Sequence, residues 1–162
     1  MLDYELELGI VVARQGKNIS REDACDYIFG YTIFNDVSAR DIQIDEMVSG
    51  LGPVKGKDFD TGNVMGHCIV TADEVNPNDM TMIARLNGEE ISRGNTSQMD
   101  HKVEDILVHV SHNETIYPGE IFGSGTVPLG CLMEHGRRLS PGDEVELEIT
   151  RIDILRNTFV SA

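Results

Sequence analysis

Two glutamates stand two residues apart near the start of the chain, in the segment DYELELGIVVA (3–13). The segment alternates between apolar and polar residues, which predicts a β-strand with its apolar side chains on one face and Glu5 and Glu7 on the other. Two like charges on one face repel, so either water screens them or a cation lies between them. On spacing alone, a solvated strand face is the simpler interpretation.

A third carboxylate, Asp36, closes the predicted strand YTIFND (31–36). An all-oxygen set of this kind suits a hard divalent cation. Mg²⁺ binds through a few protein carboxylates, keeps several waters and leaves positions for oxygens of a substrate. Spacing alone does not show that Glu5, Glu7 and Asp36 converge, and a single aspartate at a strand end is more often a turn or cap residue.

The rest of the chain reads as a strand-rich α+β domain. The NG pair at Asn87–Gly88 predicts a hairpin, and Val103, Ile106, Leu107 and Val110 have helical spacing. The segments assigned from pattern are a short helix over 24–30, strands over 67–73 and 119–126, a hairpin over 80–92, a helix over 98–111 and two strands over 142–160. The remaining segment 37–63 is rich in glycine and charge and is predicted to be mostly loop, which is typical of a functional segment.

Composition excludes several classes of partner. The chain of 162 residues has a net charge of −15, which disfavours binding to nucleic acid and to anionic membranes. No apolar run approaches the roughly 18 residues of a membrane span. Three distant cysteines, Cys25, Cys68 and Cys131, indicate free thiols in a reducing compartment. We therefore expect a cytoplasmic protein that binds neither nucleic acid nor membranes.

Several long motifs occur in an order that resembles the fumarylacetoacetate hydrolase family over nearly the whole chain. They are DYELEL (3–8), NDVSARDIQ (35–43), GPVKGKDFDTG (52–62), GEEISRGNTSQM (88–99), ETIYPGEIFGSGT (114–126) and GSGTVPLG (123–130). The resemblance implies a single domain over 1–162 with the family's C-terminal fold, a mixed, rolled β-structure whose mouth holds the active site.

The resemblance also implies roles for individual residues. Glu5, Glu7 and Asp36 match the family's ligands for Mg²⁺, with Mn²⁺ or Ca²⁺ as alternatives. The other matches are Arg40 and Gln43, which face the substrate, Lys57 as the active-site lysine, Thr126 at the substrate's carboxylate end, and Glu134, which helps to position the attacking water. Without the family match, Lys57 would be interpreted as a surface lysine and Arg40 as a structural ion-pair residue.

The activity implied is divalent-metal-dependent hydrolysis of a C–C bond in an acylpyruvate or other 1,3-dioxo acid, through an enolate that the metal stabilises as a Lewis acid. Alternatives on the same scaffold are 2-oxo acid decarboxylation, isomerisation and sugar-acid dehydration, or a metal-binding module with little catalysis. Relatives carry an upstream lid segment with a histidine, whereas this sequence starts two residues before its first motif. We therefore expect an N-terminally short domain, slow turnover by this chain alone, and a homodimer that covers the exposed strand edge.

Overall fold

The computed structural model describes residues 1–161, which form antiparallel β-sheets with two α-helices. The strands are β1 (Leu2–Asp3), β2 (Leu6–Val12), β3 (Gly16–Lys17), β4 (Ile28–Asp36), β5 (Ser38–Ala39), β6 (Asn63–Met65), β7 (Val70–Thr71), β8 (Thr81–Leu86), β9 (Glu89–Asn95), β10 (Thr115–Ile116), β11 (Ile121–Gly123), β12 (Glu144–Ile149) and β13 (Asp153–Thr158). The helices are α1 (Arg40–Met47) and α2 (Val103–Val110), with 3₁₀ turns at Ala24–Tyr27, Thr96–Gln98 and Met133–His135.

One sheet has five strands and is built around the long pair β2 and β4. Its order is β11-β2-β4-β6, and β7 pairs with the other part of β4. The alternation predicted for the first strand is confirmed, because the side chains of one face are fully buried. These side chains are Tyr4, Leu6, Leu8 and Ile10.

The second sheet has the order β13-β12-β8-β9. Its β8–β9 hairpin turns at Asn87 and Gly88, which have φ angles of 51° and 81°, as expected for an Asn-Gly turn. Apolar side chains of both sheets form one core, to which α2 contributes the buried Val103 and Leu107. The strand-rich α+β class expected from the sequence is therefore confirmed.

Four local predictions were wrong in extent, and one of them is the helix expected over 98–111, which forms only over Val103–Val110. The segment 24–30 is a 3₁₀ turn followed by the start of β4. Gly30 lies in β4, where the backbone of Val70 comes so close that a Cβ on residue 30 would overlap it. The segment 37–63 contains β5 and α1. The strand expected over 67–73 is only the two residues of β7.

The helices offer no membrane span: within residues 1–161, none of them has the length and apolar character that crossing a bilayer requires.

Candidate active site

The pairing of β2 with β4 brings three carboxylates together. Leu6 lies opposite Asn35, and the Asp36 amide donates to the Glu5 carbonyl at 3.2 Å, so Glu5 and Asp36 face each other where the ladder ends. One carboxylate oxygen from each of Glu5, Glu7 and Asp36 lies within 4.8 Å of the others. We call these three residues the carboxylate cluster. The convergence that spacing alone could not predict follows from strand register.

Glu7 is the most deeply buried member of the cluster, with 5% of its surface exposed. Its Oε2 accepts a hydrogen bond from the Gly125 amide at 3.1 Å. A Cβ on Gly123 would overlap the same oxygen, so a glycine is required there for the Glu7 carboxylate to occupy its position. The GSGT turn thus shapes the cluster from the side opposite β4.

Lys57 lies between two members of the cluster. Its Nζ is 2.6 Å from Glu5 Oε2 and 2.6 Å from Asp36 Oδ2. The loop that carries Lys57 is held by Glu46 of α1, whose carboxylate accepts from the amides of Val54, Lys55 and Gly56 at 2.7, 2.7 and 3.0 Å. Three amide donors lower the pKa of Glu46, so this carboxylate is an anionic anchor for the loop.

Arg40 begins α1 and is 4% exposed. Its Nη1 lies 2.7 Å from Glu5 Oε1 and donates to Gln43 Oε1 at 2.9 Å, while its Nε donates to Asp3 Oδ2 at 3.0 Å. Burial alone would lower the pKa of Arg40, but the carboxylates of Glu5 and Asp3 outweigh burial and raise it. Gln43 is therefore linked to the cluster through the guanidinium of Arg40.

Asp3 fixes this arginine to the rest of the fold. It is 2% exposed, and its Oδ1 accepts from the amides of Tyr4 and Leu132 at 3.0 and 2.9 Å. Its Oδ2 accepts from the Met133 amide at 3.2 Å as well as from Arg40. Asp3 continues the i, i+2 pattern of Glu5 and Glu7, and this pattern was the feature of the sequence that could have identified it as a site residue. Glu46 had no comparable signal, because its amide partners lie eight to ten residues along the chain.

The electrostatics of the cluster favour an added cation. Burial raises the pKa of Glu7 to about 7, and the charges of Asp36 and Glu5 contribute to that rise. Burial also raises the pKa of Asp36, although Lys57 offsets part of the effect. Around the cluster, four carboxylates (Asp3, Glu5, Glu7 and Asp36) meet two cations (Arg40 and Lys57). The formal excess of two negative charges and the all-oxygen donor set fit a hard divalent cation.

Two of the residues assigned from the resemblance lie beside the cluster rather than in it. Thr126 follows the Gly125 amide that holds Glu7, and its hydroxyl donates to the Val127 carbonyl at 2.9 Å. The GSGT turn, Thr126 included, lines a cavity of about 420 Å³. Glu134 is exposed on a 3₁₀ turn, where its Oε2 accepts from the Cys131 amide at 3.3 Å. Thr126 thus adjoins the cluster through Gly125, whereas the Glu134 carboxylate is directed to Cys131.

Comparison with known proteins gives a consistent result. Residues 1–160 match the fumarylacetoacetate (FAA) hydrolase C-terminal family. The human protein named oxaloacetate tautomerase FAHD2A, mitochondrial, is 38% identical over 161 residues, which is 98% of this chain and 51% of the human protein. This chain thus spans about half the length of the curated relatives it matches.

Solved structures agree with the family match. The fumarylacetoacetate hydrolase of Exiguobacterium antarcticum superimposes with a TM-score of 0.90 at 34% identity, over 99% of this chain and 57% of that one. A fumarylpyruvate hydrolase from Pseudomonas aeruginosa, solved in complex with Mn²⁺ and pyruvate, has the same fold, with a TM-score of 0.88 at 24% identity over 99% of this chain and 66% of that one. The chain belongs to the fumarylacetoacetate hydrolase family.

Proposed function

We propose that this chain carries the metal and substrate site of a divalent-metal-dependent hydrolase that cleaves a C–C bond in acylpyruvate-type 1,3-dioxo acids. The observation that carries the proposal is the carboxylate cluster, with its oxygens within 4.8 Å of one another and two cationic side chains against it. The family includes hydrolases of 1,3-dioxo acids by name, and the fumarylacetoacetate hydrolase that is 34% identical is one of them.

Glu5, Glu7 and Asp36 are the residues that would hold the cation. Mg²⁺, Mn²⁺ and Ca²⁺ all accept three carboxylate oxygens, and Mg²⁺ and Mn²⁺ are the better match to a small cluster. The Pseudomonas protein, which has the same fold, was solved in complex with Mn²⁺ and pyruvate, and this supports a divalent cation in general terms. When bound, the cation supplies a Lewis acid that stabilises negative charge on the oxygens of a 2-oxo acid.

Lys57 and Arg40 would supply the charge for an anionic substrate. The ammonium of Lys57 now neutralises Glu5 and Asp36, so a divalent cation competes with Lys57 for the same oxygens. With a cation on those oxygens, the ammonium of Lys57 would be free to pair with a substrate carboxylate or with a developing enolate oxygen. Arg40 is held by Asp3 and Gln43, and its Nη1 lies 2.7 Å from Glu5 Oε1, so its charge lies against the cluster.

Thr126 would bind the far carboxylate of the substrate. It lies one residue from the Gly125 amide that contacts Glu7, and it lines the adjoining cavity of about 420 Å³. That volume is within the range of small-molecule pockets. Glu134 stays a proposed water-positioning residue, although its carboxylate accepts hydrogen bonds from Cys131 in this structure.

Tautomerisation of oxaloacetate is the second candidate. The relatives that are 38% identical carry that activity in their names. Tautomerisation needs the same enolate stabilisation and one proton transfer, but no attacking water. The two candidates therefore share Lys57 and Arg40 and differ in whether a water-positioning group such as Glu134 matters.

The test uses Lys57→Met with Lys55→Met as its matched control. Lys55 is exposed and pairs with Asp58, two residues from the cluster lysine. Removal of Lys57 deletes the competing cation, so Mn²⁺ should bind at least as tightly to Lys57→Met as to the wild type. Oxalate, a chelating analogue of an enolic 2-oxo acid, should bind at least ~10-fold more weakly to the Mn²⁺-loaded variant, about 1.4 kcal/mol. Lys55→Met should match the wild type in both titrations, which are measured by calorimetry.

Activity assays then separate the candidates. Acylpyruvate cleavage that depends on Mn²⁺ supports the hydrolase, and accelerated enol–keto conversion of oxaloacetate without cleavage supports the tautomerase. Weaker Mn²⁺ binding by Lys57→Met, or unchanged oxalate binding, would contradict the proposed role of the lysine. Wild-type protein that binds neither Mn²⁺ nor oxalate would contradict the site itself.

A further inference from the structure

A second group of metal-binding side chains lies outside the carboxylate cluster. It consists of His67, Cys68 and Asp153, each of which has a ligand atom within 4.8 Å of the others. His67 and Cys68 lie between β6 and β7 of the five-stranded sheet, and Asp153 is the first residue of β13 in the four-stranded sheet. The group therefore bridges the five-stranded and the four-stranded sheet.

The backbone around these side chains is fixed by hydrogen bonds. The Cys68 carbonyl accepts from Thr32 Oγ1 at 2.8 Å, and the amide of the preceding Gly66 donates to the Ile33 carbonyl at 2.8 Å. Both contacts tie the His67–Cys68 pair to β4. The ligand positions are thus set by the sheet rather than by a free loop.

The ligand atoms are also directed by their own contacts. Asp153 Oδ1 accepts from the Ile154 amide at 2.8 Å, which leaves Oδ2 to face His67 Nε2 at 3.0 Å. The Cys68 Sγ lies 3.9 Å from the Ile152 carbonyl, next to Asp153. His67 and Asp153 have 63% and 53% of their side-chain surface exposed, so a cation can reach them from solvent.

The donor chemistry differs from that of the carboxylate cluster. An imidazole, a thiol and a carboxylate form a mixed N, S and O set, which suits Zn²⁺ and related transition metals and is poorly matched to Mg²⁺ or Ca²⁺. Three protein ligands leave the fourth position of a tetrahedral ion open to water or to an external ligand. The net charge of −15 adds a general attraction for cations.

We propose that His67, Cys68 and Asp153 form a second metal site, selective for Zn²⁺ over hard divalent cations. The site is separate from the carboxylate cluster and does not depend on the function proposed for it. An ion held there joins the two sheets, because it binds side chains from both, and it stabilises the folded domain by binding only the native arrangement.

Co²⁺ is the probe for this site, since a thiolate ligand gives bound Co²⁺ a charge-transfer absorption band that oxygen ligands do not. The full chain titrated with Co²⁺ under reducing conditions should develop this band to saturation, and Zn²⁺ should abolish it by displacement. The Cys68→Ser variant should lack the band, and the Asp153→Asn variant should bind Co²⁺ at least ~10-fold more weakly. Cys25→Ser is the matched control, because Cys25 is an exposed free cysteine that contacts Glu104 rather than this group.

Thermal unfolding gives an independent readout. Zn²⁺ should raise the unfolding midpoint of the wild type and of Cys25→Ser by more than that of Cys68→Ser, in which the carboxylate cluster is the metal site that remains. Glu5→Gln, which alters only the carboxylate cluster, should keep the charge-transfer band. Absence of the band in the wild type, or an equal band in Cys68→Ser, would show that His67 and Asp153 form only a surface hydrogen bond and would overturn the proposal.

Discussion

Replacement of Asp3 by asparagine tests how the active-site arginine is held. Asp3 is buried and accepts from two amides of the 131–133 segment and from the Arg40 guanidinium. Asparagine has nearly the same shape, but it has no charge and its amide nitrogen is a donor. That nitrogen would face another donor in either orientation, because both oxygens of Asp3 accept hydrogen bonds.

The size of the destabilisation expected for Asp3→Asn follows from the burial of the Asp3–Arg40 ion pair. Removal of one partner from a buried ion pair costs about 3–5 kcal/mol, because the remaining charge loses its compensation. Arg40 would keep Glu5 as a partner, so we expect the lower part of this range, about 3 kcal/mol. For a chain of this size, 3 kcal/mol lowers the unfolding midpoint by about 6–12 °C. Total stabilities of about 5–15 kcal/mol make this loss a large fraction of the whole.

Urea unfolding followed by circular dichroism, without added metal, measures this loss. Glu90→Gln is the control, because Glu90 pairs with Arg93 at the surface and its loss should leave the midpoint nearly unchanged. If Asp3→Asn lowers the free energy of unfolding by less than about 1 kcal/mol, which is the contribution of an exposed ion pair, the assignment of Asp3 as the anchor of Arg40 is refuted.

Two further predictions concern the supports of the site. Gly123→Ala should displace the Glu7 carboxylate and weaken Mn²⁺ binding at least ~10-fold, about 1.4 kcal/mol. The circular dichroism spectrum should stay unchanged. Mn²⁺ binding equal to that of the wild type would contradict the packing argument. Glu46→Gln should loosen the loop that carries Lys57, so oxalate should bind several-fold more weakly to the Mn²⁺-loaded protein while Mn²⁺ affinity stays nearly constant. The neighbouring Asp45→Asn is the control for charge, and equal effects of the two variants would exclude a specific role for Glu46.

The elements that alternate or repeat over several residues could be predicted from the sequence. The face formed by Tyr4 and Leu6, the hairpin at Asn87–Gly88 and the buried stripe of α2 all follow from local periodicity and turn chemistry. The failures occurred where tertiary contacts override local pattern. Gly30 resembles the end of a helix in sequence, but it lies within β4 because β7 needs to approach it closely.

The candidate site likewise combines contacts that local pattern predicts with contacts that depend on tertiary structure. Glu5 and Glu7 are neighbours on one strand face, so local alternation predicts their proximity, whereas their meeting with Asp36 depends on the register of β2 against β4. Lys57 reaches the cluster through a loop folded around Glu46, and no local pattern encodes that contact. The family resemblance supplied Lys57 and Arg40, and it missed Asp3.

Several expectations from the sequence stay predictions. They are the roles of Thr126 and Glu134, the single-domain organisation, the homodimer, the cytoplasmic location and the lack of binding to nucleic acid or membranes. Exposed apolar side chains on α1, namely Ile42, Ile44 and Met47, would be stabilised by burial against a partner copy.

The most direct test of the central claim is a crystal structure of the chain grown with Mn²⁺ and oxalate, with anomalous scattering recorded for the metal. We predict an anomalous peak among the carboxylates of Glu5, Glu7 and Asp36, with the Lys57 ammonium moved from Glu5 and Asp36 towards oxalate. A structure at saturating Mn²⁺ with no anomalous peak at the carboxylate cluster, and with Lys57 still paired to Glu5 and Asp36, would contradict the account.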